Sequence, residues 1–394
     1  MAGTLKRFTF RAPTRSRVVV FDAVGSAVLE RTVLHGLDHA VLPARGESFF
    51  LSLPVLARMA WYAGEIDWRL IARRRGRGFF GQLYKVHLLA CLDYMSPDVV
   101  ITWIDNSWLF HKISRAYRGA EFYAMQNGSR SLGCVTTNPP LKDPAGYVTS
   151  MPNLICFGRY EEDLYREHGH RIDVFHRVGP LIGGFYLSQR GALSSPKYDV
   201  CLVSQWRADL MAGDRFPEIK GTVTLLAQFL GRYAKERGVS VCVAARTTSR
   251  AEQEFYRAAL GPDVPLIVRQ DELMSLTTYA AIDASSVVVG FCSTALLEAF
   301  GWGKKTLFCN LFKHHESYAP PRRGPWQVDE PRYELFCEKL DALRAMSPEV
   351  FEAATGDFRR YAVQYDPDKP AHVYLRELID ARLSAQGTHA GVNA

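Results

Sequence analysis

Residues 285–309 read SSVVVGFCSTALLEAFGWGKKTLFC, which predicts a strand, a tight turn, one amphipathic helix and a second strand. Val287 to Val289 form an unbroken apolar run, typical of a parallel strand that is covered on both faces. Gly290 permits a sharp turn after this strand, and Gly301 and Gly303 end the helix. The segment therefore predicts one β-α-β unit of a parallel sheet.

The start of the predicted helix is a candidate anion site. Ser293 or Thr294 is placed to cap the helix with a hydroxyl, which leaves the first backbone amides free. These amides and the helix dipole favour an anion such as a phosphate. Glu298 follows Thr294 by four residues and lies on the same helical face, where a ribose contact and a structural role are both open. Ordinary β-α-β units show the same pattern, so this segment alone does not distinguish a nucleotide-binding site from a purely structural unit.

Along the whole chain, apolar strands alternate with helical segments, which predicts an α/β protein with parallel sheets and helices on both faces. A chain of 394 residues is too long for one compact core. A stretch rich in Gly, Ser and Pro separates two Rossmann-like halves, so we expect domains at 1–188 and 198–365 with a linker at 189–197. Residues 366–394 are expected to form a helix that packs back on the first domain, followed by a tail.

The composition narrows the class of protein. The 47% hydrophobic and 23% charged fractions indicate a folded globular chain. No stretch is apolar for long enough to span a bilayer, and the basic N-terminus lacks the apolar core of a signal peptide. The eight cysteines include no Cys-x-x-Cys pair, which indicates neither a zinc ribbon nor a disulfide framework. We therefore expect a cytoplasmic protein with free thiols.

Part of the net charge of +7 lies in the basic segment Arg69 to Arg77. Trp61, Trp68, Phe79 and Phe80 flank it. Such a segment is able to rest on an anionic membrane, here the inner face of the cytoplasmic membrane, although a solvated helix face is an equally good interpretation. Nucleic acid is not expected as a partner, because no recognition motif accompanies the charge.

The predicted strands end in loops that are rich in polar side chains. Open parallel sheets bind ligands outside the carboxyl ends of their strands. Polar loops on both halves predict two sheets that face one another across a central cleft, with a donor on one side and an acceptor on the other. The side chains are Asp22, Asp105, Asn106, Gln126, Asn127 and Arg130 in the first half, and Ser204, Gln205, Arg207, Arg246, Thr247, Thr248, Ser293 and Thr294 in the second.

Four short runs in this order resemble bacterial surface-carbohydrate biosynthesis proteins: WIDN at 103–106, QNGSR at 126–130, CLVSQWR at 201–207 and STALLE at 293–298. That group is related to GT-B glycosyltransferases that move Kdo or nonulosonic acids from CMP-activated donors. The resemblance spans roughly residues 17–385 and implies the GT-B fold. In similar sialyltransferase-like families, a Ser-Ser or Ser-Thr pair holds the CMP phosphate, and Ser293 and Thr294 match it. Those families also carry a His-Pro motif, which this chain lacks.

On the donor side, the resemblance implies that Ser293 and Thr294 hold the phosphate, while Glu298 contacts the ribose or braces the loop. Arg207 and Arg246 are expected to neutralise charge on the departing nucleotide, as electrostatic catalysis requires. The remaining nucleotide-binding candidates are Ser204 and Gln205.

On the acceptor side, Asp105 is the expected catalytic carboxylate, because it follows a buried strand. It would act as a general base or a nucleophile, with a helix N-cap as the alternative. Arg130 is expected to bind a sugar or acceptor carboxylate through two parallel bonds. Asn106, Gln126 and Asn127 complete this set. Among the histidines, His314 and His315 are the best candidates for phosphate binding or proton transfer, ahead of His111, His168 and His170.

The sequence thus predicts a transferase that uses a CMP-activated sugar and builds a cell-surface polysaccharide or glycolipid. We expect no metal and no cofactor, since the nucleotide sugar is itself the substrate. Two alternatives stay open. One is an enzyme that acts on a UDP-sugar, either a GT-B transferase or a 2-epimerase. The other is a sugar-nucleotide-binding protein without catalytic activity.

Overall fold

A computed structural model describes residues 7–73, 78–130, 148–191, 195–213, 216–270, 273–274, 276–314, 320 and 322–390. These residues form two six-stranded sheets, each entirely parallel, which follow one another along the chain. The strands are short and apolar, and neighbouring residues of one strand pack into different clusters on opposite faces. For example, Val18 and Val20 pack on one side of the first sheet, and Val19 and Phe21 pack on the other.

The first sheet has the strand order β3-β2-β5-β6-β7-β8. The pairing of Val20 with Ile101 fixes the register of β2 against β5. A separate parallel pair, β1 with β4, lies outside this sheet. The strands are β1 Arg7–Thr9, β2 Val18–Phe21, β3 Ala40–Leu42, β4 Ser48–Phe50, β5 Val99–Thr102, β6 Glu121–Met125, β7 Ser150–Cys156 and β8 Arg171–Arg177.

Helices cover both faces of this sheet. They are α1 Ser26–Thr32, α2 Leu53–Trp61, α3 Trp68–Arg73, α4 Phe79–Met95, α5 Trp108–Ala116, α6 Arg159–Glu167 and α7 Leu181–Gln189, with a 3-10 turn at Tyr62–Glu65.

The second sheet has the order β11-β10-β9-β12-β13-β14. Counted within the domain this is 3-2-1-4-5-6, the order of dinucleotide-binding Rossmann sheets. The strands are β9 Tyr198–Val203, β10 Val241–Ala245, β11 Leu266–Val268, β12 Ser285–Gly290, β13 Lys305–Cys309 and β14 Gln327–Val328. The helices are α8 Ala208–Met211, α9 Pro217–Arg237, α10 Arg250–Leu260, α11 Leu276–Asp283, α12 Thr294–Gly301, α13 Tyr333–Ala345, α14 Pro348–Ala362 and α15 Ala371–Ala390.

The β-α-β unit predicted from residues 285–309 is confirmed as β12, α12 and β13. Val287 and Val289 are fully buried, as expected for a strand covered on both faces. Gly303 follows the helix with a φ of 94°, a left-handed conformation that glycine adopts at little cost.

The last helix, α15, returns to the first domain. Ala371, Leu375 and Ile379 are buried in the same cluster as Val18 and Val20 of the first sheet. The predicted fold class is therefore confirmed: two Rossmann-like units and a C-terminal helix that crosses back. The helix runs from Ala371 to Ala390.

Helix α7 was not predicted, because its sequence LIGGFYLSQ contains two consecutive glycines. It links the two domains. Leu181 and Phe185 pack against the first domain, Tyr186 packs against the second, and Ile182 packs against both. Residues 192–194 of the predicted linker lie outside the described residues. Within the described part of the chain, no helix combines the length and the apolar character that crossing a membrane requires.

Candidate functional site

A cleft of about 370 Å³ lies between the carboxyl ends of the two sheets. This size suits a ligand as large as a nucleotide, since ligand pockets usually measure about 300–1,000 Å³. On the second domain it opens where β9 and β12 lie side by side and the strand order reverses, the usual ligand position in such sheets. Its lining residues are Trp103, Gln126, Asn127, Phe157, Leu181, Ile182, Val203, Ser204, Gln205, Ala244, Arg246, Arg269, Thr278, Tyr279, Cys292, Ser293, Thr294, Ala295 and Glu298.

The start of helix α12 faces this cleft. Ser293 occupies the N-cap position with extended backbone, but its hydroxyl does not accept the usual capping bond. Among the described residues, no acceptor is found for the amides of Thr294 and Ala295. Cys292, with a φ of 48°, turns the chain sharply just before the cap. The helix start therefore presents a hydroxyl and backbone amides to any anion in the cleft.

Thr294 also touches the other domain. Its hydroxyl accepts a hydrogen bond of 3.1 Å from the backbone amide of Ser129, in the loop after β6. Gly128 lies next to this bond, and a Cβ added there would sit 3.3 Å from the Thr294 hydroxyl. The polar loops of the two domains thus meet at the start of α12.

Glu298 lies one turn deeper and is only 3% exposed. Its Oε2 has no hydrogen-bond partner among the described residues, although the side chain interacts with the Tyr279 hydroxyl. Burial raises the pKa of Glu298 to about 8, so the carboxyl group is protonated at neutral pH. A buried polar oxygen without a partner is costly, so a carboxyl group beside a cleft is a candidate to bind a ligand hydroxyl.

Two arginines add positive charge to the same cleft. Arg246 follows β10 and donates a bond of 3.3 Å from Nη1 to the Gln205 side chain. Arg269 follows β11 and lines the cleft beside it. Partial burial and the nearby charges of Arg207 and Arg269 lower the pKa of Arg246. Bound anionic charge would relieve this repulsion.

The buried carboxylate of Glu252 holds the Arg246 loop in place. It accepts bonds of 2.8 Å from the backbone amides of Arg246 and Thr247 and one of 2.5 Å from the Ser204 hydroxyl. Tyr256 also donates to that hydroxyl, at 3.0 Å. Ser204 lines the cleft, but its hydroxyl is hydrogen-bonded to Glu252 and Tyr256. The phosphate contact predicted for it therefore stays a prediction.

Asp105 and Arg130 form a buried ion pair. Nη2 of Arg130 donates to both carboxylate oxygens, and the Asp105 side chain is 0% exposed. Nη1 of Arg130 donates to the carbonyls of Gly128 and Ser129, at 3.0 and 3.2 Å. The two side chains thus occupy each other, and neither residue lines the cleft, so the catalytic role of Asp105 and the carboxylate-binding role of Arg130 stay predictions. Ser107, not Asp105, caps α5, since its hydroxyl accepts from the Phe110 amide.

Three other predicted residues either lie outside the cleft or use their side chains for contacts within the protein. Asn106 is exposed and does not line the cleft. Arg207 is exposed as well, and its guanidinium pairs with Asp209 two residues away instead of lining the cleft. Gln126 does line the cleft, but its side chain bonds Gly128, Phe157 and the buried Glu161. Asn127 is the acceptor-side candidate whose side chain borders the cleft in a half-buried position.

The candidate histidines serve structural contacts. His111 bonds the Asp105 carbonyl at 2.6 Å, and burial lowers its pKa to about 4. His168 bonds the Leu164 carbonyl, and His170 accepts from the Thr149 amide. His314 bonds Asn310 through its backbone, and His315 lies outside the described residues. In the part of the chain that the structure describes, no three acidic, His or Cys residues are grouped as for a metal ion.

Sequence reasoning missed several residues of the site. Arg269 follows a short strand, and Tyr279 lies within a helix. Neither sequence pattern indicated a ligand-binding residue. Gly183 was missed together with α7, although it packs so closely that an added Cβ would lie 2.6 Å from Glu298 Oε2. The double glycine itself was the available signal, because glycines inside a helix often mark close packing.

Comparisons with known proteins agree with this architecture. Residues 214–375 match a family model described as "putative O-antigen biosynthesis protein". No curated protein sequence gives a significant match to the chain. Among solved structures, the wall teichoic acid polymerase TagF aligns over 95% of this chain and 90% of its own, with 12% identity and a TM-score of 0.50. The S. aureus MnaA–UDP structure aligns over 94% and 96%, with 10% identity and a TM-score of 0.50. At these identities the likeness shows the GT-B fold alone.

Proposed function

We propose that this chain is a glycosyltransferase that binds a nucleotide sugar in the inter-domain cleft and transfers the sugar to a surface polysaccharide or glycolipid. One observation carries the proposal: the start of α12 and the side chain of Glu298 line the same cleft. The first fits a phosphate and the second fits a hydroxyl one helical turn away. A nucleotide carries both groups at about this separation.

In this proposal the donor phosphate lies against the Thr294 and Ala295 amides and the Ser293 hydroxyl. Glu298 and Tyr279 bind a ribose hydroxyl. Gln205 and Asn127 border the bound donor from the two domains. Burial of the ligand between the domains excludes water, which strengthens every one of these polar contacts.

Catalysis would rest on stabilising the leaving nucleotide. Bond cleavage at the anomeric carbon moves negative charge onto the donor phosphate, in the cleft that the helix start, Arg246 and Arg269 line. Donors that are held in place before the reaction stabilise such charge without reorganisation. Asp105 is a positioning residue in this scheme, because its carboxylate holds Arg130 and thereby the loop that reaches Thr294.

We propose a CMP-linked donor, with Kdo or a nonulosonic acid as the sugar. The Ser293-Thr294 pair supports it by matching the residues that hold the CMP phosphate in similar families. A UDP-linked donor is the second candidate, because two arginines beside the helix start suit the extra charge of a diphosphate. The UDP bound in MnaA agrees with this second candidate, and the family description names no donor. An epimerase is less well supported, since Glu298 is the only carboxylate among the described residues that line the cleft.

Thermal unfolding with added nucleotide tests the proposal. At 100 times its Kd a ligand stabilises the fold by about 2.7 kcal/mol. We expect CMP to raise the Tm of the wild type and to do so less for Arg246→Gln. Arg250→Gln is the matched control, since Arg250 is an exposed arginine four residues away that pairs with Glu254 on its own helix. A shift with UDP but not with CMP would select the second candidate, and no shift with either would overturn the proposal.

A further inference from the structure

The first domain exposes an unusual number of large apolar side chains. Trp61 is 85% exposed, Phe80 79% and Trp68 61%. The neighbouring Leu53, Leu56, Phe79 and Leu83 are exposed as well. In the described part of the second domain, by contrast, the exposed large hydrophobic residues are single and are aliphatic or only about two-fifths exposed. We call Trp61, Trp68, Phe79, Phe80 and Leu83 the aromatic surface.

Hydrogen bonds hold the segments of this surface together. The Asp67 amide donates to the Gln82 side chain at 3.2 Å, which joins the start of α3 to the first turns of α4. Lys85 of α4 bonds the Glu65 carbonyl at 2.5 Å and thereby ties the 3-10 turn after Trp61 to the same helix. Phe79 and Phe80 lie edge to face, with ring centroids 5.9 Å apart. The exposed aromatic rings therefore belong to one packed region rather than to separate loops.

Positive charge accompanies these rings. Arg69 is exposed on α3 next to Trp68. The sequence adds Arg73 at the end of α3 and Arg74, Arg75 and Arg77 before α4, of which the last three lie outside the described residues. The acidic Glu65 in this region is already paired with Lys85. Among the described residues, this surface is therefore apolar and carries the exposed cation Arg69.

We propose that the aromatic surface binds a lipid bilayer that contains anionic lipid. Tryptophan is favoured at the boundary between headgroups and acyl chains, because its ring is apolar and its N–H is polar. Arginines near such a boundary are attracted to anionic headgroups. A soluble acidic glycan would pair with Arg69 and stack on an aromatic ring, but it would gain nothing from the exposed aliphatic Leu53 and Leu83, so these side chains favour the bilayer.

The aromatic surface is separate from the cleft, since none of its residues lines the cleft. Membrane binding and nucleotide binding are therefore independent in this proposal. A failure of one would leave the other standing.

Co-sedimentation of the full chain with vesicles tests it. We expect the wild type to sediment with vesicles of phosphatidylcholine and phosphatidylglycerol and much less with phosphatidylcholine alone. The triple variant Trp61→Ala, Trp68→Ala and Phe80→Ala should bind at least about tenfold more weakly, because three inserted rings are lost. Arg69→Gln should weaken binding to the anionic vesicles only. Binding of this variant to the anionic vesicles should also depend less on salt concentration.

Val350→Ser is the matched control, since it removes an exposed apolar side chain from α14 of the other domain. It should bind vesicles as the wild type does. An unchanged Tm and unchanged nucleotide stabilisation would show that the triple variant is folded.

The proposal is overturned if the triple variant sediments like the wild type or if the wild type binds neither kind of vesicle. It is equally overturned if the same three rings are found to drive self-association in analytical ultracentrifugation instead of vesicle binding.

Discussion

The backbone amide of Ser129 in the first domain donates a hydrogen bond of 3.1 Å to the hydroxyl of Thr294 in the second. This bond joins the loop after β6 to the start of α12. The Thr294 hydroxyl therefore serves the contact between the domains, and the helix amides and Ser293 are left for an anion. In the proposed function, the contact between the domains and the phosphate site would therefore be coupled through Thr294.

Replacing Thr294 by Val removes this hydroxyl while keeping the shape of the side chain. We expect the contact between the domains to lose about 1 kcal/mol of free energy. The affinity for nucleotide should therefore be roughly fivefold weaker. Titration calorimetry with CMP measures it. Thr294→Ser keeps the hydroxyl and should bind almost like the wild type. Equal affinities of the Val variant and the wild type would show that the inter-domain bond does not contribute.

The buried pair of Asp105 and Arg130 provides a second prediction. Removing one partner leaves an uncompensated charge in the interior, so Asp105→Asn or Arg130→Met should each cost about 3–5 kcal/mol of folding free energy. The double variant should cost less than the sum of the two. Denaturant unfolding measures all three.

Two roles for Asp105 are separated by the transfer activity of the folded fraction, because breaking the buried pair lowers the free energy of unfolding in either case. A general base would lose transfer in the folded fraction of Asp105→Asn, whereas a positioning residue would keep part of it. Glu254→Gln is the control, because it breaks an exposed pair with Arg250 on one helix and should change stability by less than about 0.5 kcal/mol.

The glycine pair in α7 gives a matched comparison. A Cβ at Gly183 would lie 2.6 Å from Glu298 Oε2, so Gly183→Ala should displace the carboxyl group and weaken nucleotide binding by roughly tenfold. At Gly184 the nearest atom is the Pro370 Cβ at 3.5 Å, an ordinary contact. Gly184→Ala should therefore leave binding unchanged and stabilise the helix by about 0.5–1 kcal/mol. Weaker binding in both variants would instead indicate a general disturbance of α7.

Glu298 should make the stability of the protein depend on pH. Burial raises its folded-state pKa to about 8, above the ordinary value of 4.5. The folded state therefore keeps a proton that the unfolded state releases, and the free energy of unfolding falls as pH rises from about 4.5 to 8. The loss is on the order of a few kcal/mol.

Glu298→Gln removes this titration, so its stability should fall less over the same pH range. Burial also raises the pKa of Glu161 to about 7, which leaves the variant a shallower slope rather than none. Urea unfolding at several pH values checks the difference. Identical slopes for the variant and the wild type would mean that Glu298 is ionised in the folded protein at neutral pH.

The fold was largely predictable from the sequence. Buried parallel strands appear as short apolar runs, and Val287 to Val289 and Val99 to Ile101 were therefore easy to place. Helix α7 was not, because its glycines lower helix propensity and its formation depends on packing against α12 and α15. Local sequence carries no record of such long-range packing.

The site was only partly predictable for a related reason. Ser293, Glu298 and Arg246 face the cleft, as their positions after parallel strands indicated. Asp105 and Arg130 have the same kind of position, yet their opposite charges pair with each other. Sequence shows which polar residues follow the strands, but it does not show which of them satisfy one another. The roles of Glu252 and Gly183 likewise arise only from contacts across the fold.

Calorimetric titration of CMP into the wild type, Thr294→Val and Thr294→Pro tests the central claim most directly. Proline is well tolerated at the first position of a helix, and it removes the Thr294 amide in addition to the hydroxyl. If the start of α12 holds the donor phosphate, CMP affinity should fall from the wild type to the Val variant and fall again to the Pro variant, while cytidine, which has no phosphate, should not distinguish Val from Pro. Equal CMP affinity of the Pro variant and the wild type would contradict the claim.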